Sequence, residues 1–109
     1  KLKNAADIRG YEISYYFAHY RPNGKRALVS FAHTTHCCGE NIARGQISVK
    51  KAMYDFKNSP AHNDLMLSTY PEVLSISVFA KYEGTVNGKK QYSLHYVQFY
   101  GRYLYSWQK

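Results

Sequence analysis

Residues 73–100, VLSISVFAKYEGTVNGKKQYSLHYVQFY, decide the fold. Leu74, Ile76, Val78, Ala80 and Tyr82 alternate with Ser75, Ser77, Phe79 and Lys81, a period of two that predicts a strand. TVNGKK (85–90) then turns the chain, and Asn87-Gly88 is a strong hairpin signal. The returning run, 91–100, places Tyr92, Leu94, Tyr96, Gln98 and Tyr100 on one face and His95, Val97 and Phe99 on the other. Apolar residues on both faces predict a sheet covered on both sides.

Before Pro71 the periodicity is helical. NAADIRGYEISYYFAHY (4–20) predicts one helix with two apolar stripes, Ile8, Glu12, Tyr15 and His19 along one and Ala6, Ile13, Phe17 and Tyr20 along the other. It runs past an interior Gly10 and is stopped by RPNG (21–24). Residues 26–35 are ambiguous, open to a short helix leading into a Cys37-Cys38 loop. Ser48 reads as the N-cap of a helix over 49–57 that turns Val49, Ala52, Met53 and Phe56 inward. Ser59-Pro60 starts a further helix, since serine caps well and proline is pre-shaped for the first helical position, and Leu65, Met66 and Leu67 then feed the core. Helices first and an antiparallel hairpin after them give an α+β sandwich, a single domain over 1–109.

Composition narrows the function classes. The chain carries twelve Tyr, five Phe and one Trp, and tyrosine, with an apolar body and a polar tip, suits half-buried sheets and wet clefts. Fifteen Lys and Arg against seven Asp and Glu give a formal charge of +8, which favours polyanionic surroundings. The basic residues are scattered in runs of no more than two, with no RNP-like motif, so nucleic acid is disfavoured as a partner. No apolar run is long enough for a transmembrane segment. The opening KLKNAADIR has neither an initiator Met nor a signal peptide, as expected of a mature or excised fragment. Cys37 and Cys38 are adjacent, where a vicinal disulfide is strained and no metal-ligand spacing exists; two idle thiols are favoured over a redox site, and the compartment stays open.

Five histidines are present, His19, His33, His36, His62 and His95, and none forms an HExxH motif or an i, i+4 ligand pair on a helix. The ordinary reading of each is structural. His62 falls in the first turn of the Ser59-Pro60 helix, whose dipole disfavours the imidazolium, so it is expected to be neutral. Glu40, in CCGENIARG (37–45), is either a solvated loop charge or a carboxylate held in place.

FAHYRPNGKR (17–26), GENIARG (39–45), FKNSPAHNDLML (56–67) and LHYVQFYG (94–101) occur in the order, and near the spacing, of the CAP superfamily. That group takes in the sperm-coating, plant pathogenesis-related and venom-allergen-like proteins. The chain resembles its bacterial branch most, over nearly the whole of its length. The resemblance implies an α-β-α sandwich of the CAP type, a secreted or cell-surface location, and a cleft lined by histidines and glutamates that binds zinc in some members. By resemblance the cleft residues are His19, Glu40 and His95, with His19 and His95 as the metal pair. The second glutamate of eukaryotic members falls near Ser59 here, and His62 of SPAH stands close by as its replacement.

The sequence departs from the family at four places. Phe56 replaces a tryptophan, Asn63 replaces an arginine, and Cys37-Cys38 is foreign to the pattern. KLKNAADIR resembles the family's second helix, so the resemblance implies an N-terminally truncated sandwich with one flank uncovered and open to homodimer formation. Two functions are carried forward: a binding domain for lipid, peptide or anionic cell-wall polymer, and a zinc-dependent hydrolase with Glu40 as its base.

Overall fold

A computed structural model describes residues 2–26 and 35–103. Among them the chain forms a small α+β domain of three helices and one antiparallel sheet. The elements are α1 (Leu2–Ile13), β1 (Thr35–Arg44), α2 (Val49–Lys57), α3 (Pro60–Leu67), β2 (Val73–Val86) and β3 (Lys89–Tyr103). The sheet order is β1-β3-β2, so β3 is central and, among the described residues, β1 and β2 are the edges.

The 73–100 reading holds in type, and the pairing carries a register shift between Tyr82 and Gly84. Tyr82 pairs with Tyr92, Val78 with Tyr96 and Leu74 with Tyr100, so the outward residues of β2 stand beside the expected residues of β3. The turn closes with positive φ at both Asn87 (51°) and Gly88 (78°), the geometry that matches strand twist. Strand β1 was expected as a loop. Its Gly-Glu-Asn composition looks like a turn, but pairing with β3 from Glu40↔Phe99 to Arg44↔His95 makes it a strand, with a bulge between Cys37 and Gly39. The short helix open for 26–35 falls almost wholly outside the described residues.

Two cores back onto the sheet. On one face Leu2, Ala5, Ala6 and Ile13 of α1 pack on Ile42, Val97 and Phe99. On the other, Ala52 and Phe56 of α2 pack on Ala43 and Tyr96, with Met53, Met66 and Leu94 half-buried around them. Gly10 is explained by the first contact: a Cβ there would lie 3.2 Å from the Phe79 Cβ, so its absence lets α1 approach β2. Coverage is incomplete, however. Among the described residues nothing covers the outward face of β2, and Leu74, Ile76, Val78 and Tyr82 are exposed. The expectation of a sheet covered on both sides therefore holds for β3 and fails for β2.

The first helix is shorter than expected, ending at Ile13 instead of Tyr20. Ser14 supplies the reason, since its hydroxyl donates to the Tyr11 carbonyl at 2.6 Å and competes with the helical bond. Three aromatics follow at once, each losing χ1 freedom in a helix. Tyr15, Tyr16, Phe17 and Tyr20 are consequently exposed instead of forming stripes.

The later helices match their signals closely. The Ser48 side chain caps α2 by accepting from the Lys51 N–H at 3.1 Å, and Pro60 opens α3. Of the inward residues named for these helices, Ala52 and Phe56 are buried, whereas Val49 and Leu67 are exposed and take no part in the core. α3 is only two turns long and presents Met66 inward, which leaves Leu67 pointing away.

Candidate functional site

The site is organised by an arginine. Arg9 occupies a core position of α1, four residues before Ile13, and its side chain is fully buried. Its Nε donates to Glu40 Oε2 at 2.7 Å and its Nη2 to Glu40 Oε1 at 3.1 Å, a two-pronged clamp. Nη1 donates to Glu12 Oε1 at 3.0 Å, and Nη2 also reaches the Ala18 carbonyl. Arg21 closes the chain of charges through its own paired bonds to Glu12, from Nε at 2.9 Å and Nη2 at 2.7 Å. Two arginines thus neutralise two buried carboxylates. Burial alone would lower the Arg9 pKa, but the Glu40 and Glu12 carboxylates outweigh it and raise that pKa above its ordinary value.

Glu40 is therefore a held carboxylate. Its side chain is 2% exposed, on the α1 face of β1, and it does more than pair with Arg9. Oε1 also lies 3.0 Å from His19 Nδ1. A carboxylate can only accept, so His19 donates from Nδ1 and keeps Nε2 as its free nitrogen. The His19 ring is 59% exposed, which places that nitrogen where a ligand can reach it. His19 itself stands beyond α1, in the segment that the Arg9–Ala18 bond folds back over the helix end.

His62 joins from α3. Its Nδ1 lies 2.8 Å from the Ser59 hydroxyl, which explains why Ser59 makes no side-chain cap to its own helix. Burial first, and the nearby charge of His19 second, push its pKa below the usual histidine range. Its neutrality was expected, though from the helix dipole and not from these causes. Asn41 fastens α3 to β1 by donating to the His62 carbonyl at 3.1 Å and to Gln98 Oε1 at 2.9 Å, a structural role. The close fit of these elements also needs Gly39, where a Cβ would meet Leu65 Cδ1 at 2.5 Å.

The structure thus brings Glu40 and His19 together, whereas the His62 ring packs against Phe56 on the α2 side and is near enough to His19 only for its charge to be felt, and His95 stands elsewhere. His95 pairs with Arg44, four register steps along β1 from Glu40, or roughly 13 Å of strand. It is 4% exposed beside Phe79 and Lys81, and burial lowers its pKa. Glu40, with the His19 that contacts it, and His95 therefore stand apart along the sheet. Among the described residues, no three of His, Cys, Asp and Glu converge as ligands would. Arg9, Glu12, Arg21 and Ser59 were not singled out as site residues from sequence. The available signal was Arg9 itself, a charge at a helical core position with Glu12 one turn on.

Comparison with protein-family models, with curated proteins and with solved structures finds no match. No helix among the described residues is long and apolar enough to cross a membrane.

Proposed function

We propose that this chain is a CAP-type binding domain, secreted or exposed at a bacterial cell surface, that receives lipid, peptide or anionic cell-wall polymer at His19, Glu40 and His62. The observation that carries the reading is the 3.0 Å contact between Glu40 of GENIA and His19 of FAHY, with Glu40 clamped from behind by Arg9. Residues from two separated motifs are in contact there, which supports a shared cleft around one solvent-facing imidazole. An exposed neutral or cationic ring backed by a fixed carboxylate suits hydrogen bonding to a polar headgroup or peptide carbonyl. The formal charge of +8 favours an anionic surface as the setting.

The zinc-dependent hydrolase has less support. Its metal pair, His19 and His95, stands apart, and both oxygens of its base, Glu40, are occupied by Arg9. The residues present do not fit that site, and no step is derived through it.

The proposal includes a homodimer. Among the described residues β2 is an edge strand, and its outward stripe, Leu74, Ile76, Val78, Ala80 and Tyr82, carries no charge. Antiparallel pairing of two β2 strands about Val78 is self-complementary, matching Leu74 with Tyr82 of the second copy. With Tyr92 alongside, the exposed side chains of the two copies would then form one continuous apolar face across the seam.

The binding reading is tested by co-sedimentation with phosphatidylglycerol vesicles, by titration with soluble teichoic acid, and by titration with an acidic tyrosine-containing peptide. At least one is expected to bind, with loss in a His19→Ala, His62→Ala variant. Binding to none, or binding indifferent to that variant, would refute it.

A further inference from the structure

A second polar cleft, of about 360 Å³, lies at the opposite end of β1 from His19. Arg44 of β1, Lys81 and Glu83 of β2, Ser93 and His95 of β3, and Ser14 just past α1 line it. The pairings Lys81↔Ser93 and Arg44↔His95 place these groups side by side across all three strands.

Three features mark the cleft as built for an absent partner. His95 is 4% exposed, yet its Nδ1 has no hydrogen-bond partner, one of two such buried side-chain atoms among the described residues. The carbonyls of Phe79 and Ser93 favour its protonated form, but neither meets hydrogen-bond geometry at Nδ1. Arg44 lies over the Phe17 ring at 4.5 Å, and no acceptor among the described residues takes its N–H groups. Lys81 holds the Ser14 carbonyl at 3.1 Å and stands 3.8 Å from Glu83, a loose and largely exposed pair. Two cations against one carboxylate leave the cleft positive. Burial, with the charges of Lys81 and Arg44, keeps His95 below the usual histidine range, so the ring adds no repulsion of its own.

We propose that this cleft binds a phosphate group, free or as a monoester, between Arg44, Lys81, the Ser93 hydroxyl and the His95 ring. The donor set decides for phosphate over carboxylate. A guanidinium fork, an ammonium, a hydroxyl and an imidazole N–H exceed what two carboxylate oxygens can accept, whereas the oxygens of a phosphate can engage them all. A nucleic-acid backbone would need a row of such sites, and the scattered basic residues do not supply one. Glu83 opposes the ligand, and on binding it yields Lys81 and turns to solvent. The inference is independent of the His19 site, which shares none of these residues.

The test uses the full chain at constant ionic strength, with inorganic phosphate and glycerol 3-phosphate as probes followed by nuclear magnetic resonance at the His95 ring. Saturable shifts at His95 are expected. Arg44→Gln and Lys81→Met should each weaken binding at least about tenfold, as loss of one charge-assisted hydrogen bond implies. Glu83→Gln should tighten it a few-fold, an effect that damage to folding would not produce. Phosphatidic acid in phosphatidylcholine vesicles distinguishes the source: binding far tighter than to glycerol 3-phosphate marks a lipid headgroup, and equal binding marks a soluble monoester. No saturable shift at His95, equal affinity for acetate, or indifference to both cation variants would overturn the proposal.

Discussion

Arg9 does most to explain why a carboxylate survives at position 40. Two carboxylates depend on it, so Arg9→Met would leave Glu40 buried without its cation and Glu12 with Arg21 alone. Breaking a buried pair in this way is expected to cost about 3–5 kcal/mol, measured by urea unfolding. A loss below about 1 kcal/mol would show that the clamp is not formed in solution. Histidine titration gives a second expectation. Folding depresses the pKa of both His62 and His95 below 6.5, so the unfolded chain binds more protons than the folded one near that value. Their contribution to stability is complete above pH 6.5 and is lost as pH falls through that value towards the folded pKa. Unfolding measured between pH 8 and pH 5 should show this decline, and His95→Gln should make it shallower; an unchanged slope would contradict it. At this scale the sequence pointed to residues that a motif carries, as with Glu40 and His19, which are in contact. A charge at a helical core position marks Arg9 as unusual, but nothing local names its partner 31 residues away.

Elements were legible where local chemistry sets them. Ser48 caps α2, Pro60 opens α3, and Asn87-Gly88 closes the hairpin, each through groups within a few residues. Ser48→Ala should therefore cost about 1 kcal/mol. Phe56, 2% exposed against Tyr96 and Ala43, fills the position that the resemblance gives to tryptophan, and Phe56→Ala should cost about 3–5 kcal/mol in chemical unfolding. A loss well under 1 kcal/mol would mean that α2 does not pack in this register. Elements were misread where tertiary contacts override propensity. β1 exists because β3 pairs with it, despite a turn-like Gly-Glu-Asn. α1 stops at Ile13 although the helical periodicity runs on, because the Ser14 hydroxyl takes the Tyr11 carbonyl while Lys81 takes that of Ser14 and Arg9 that of Ala18.

For the whole molecule, periodicity revealed the α+β class, but not how far each helix reaches over the sheet. A helix of twelve residues and two shorter ones cover the central strand on both faces and, among the described residues, the outward face of β2 is left exposed. If two copies pair there, sedimentation velocity should show a dimer that Val78→Lys converts to monomer; a monomer at high concentration in the unmodified chain would refute the pairing. The placement of the histidines is likewise a property of the whole fold, since His19 meets β1 at Glu40 and His95 lies opposite Arg44, four residues further along. The central claim is that a carboxylate fixed by Arg9 sets the working nitrogen of His19, and the nitrogen-15 spectrum of the histidine rings at alkaline pH tests it most directly. The account expects His19 as the Nδ1–H tautomer, reverting towards Nε2–H in Glu40→Gln. A His19 ring that is already Nε2–H in the unmodified chain would contradict it.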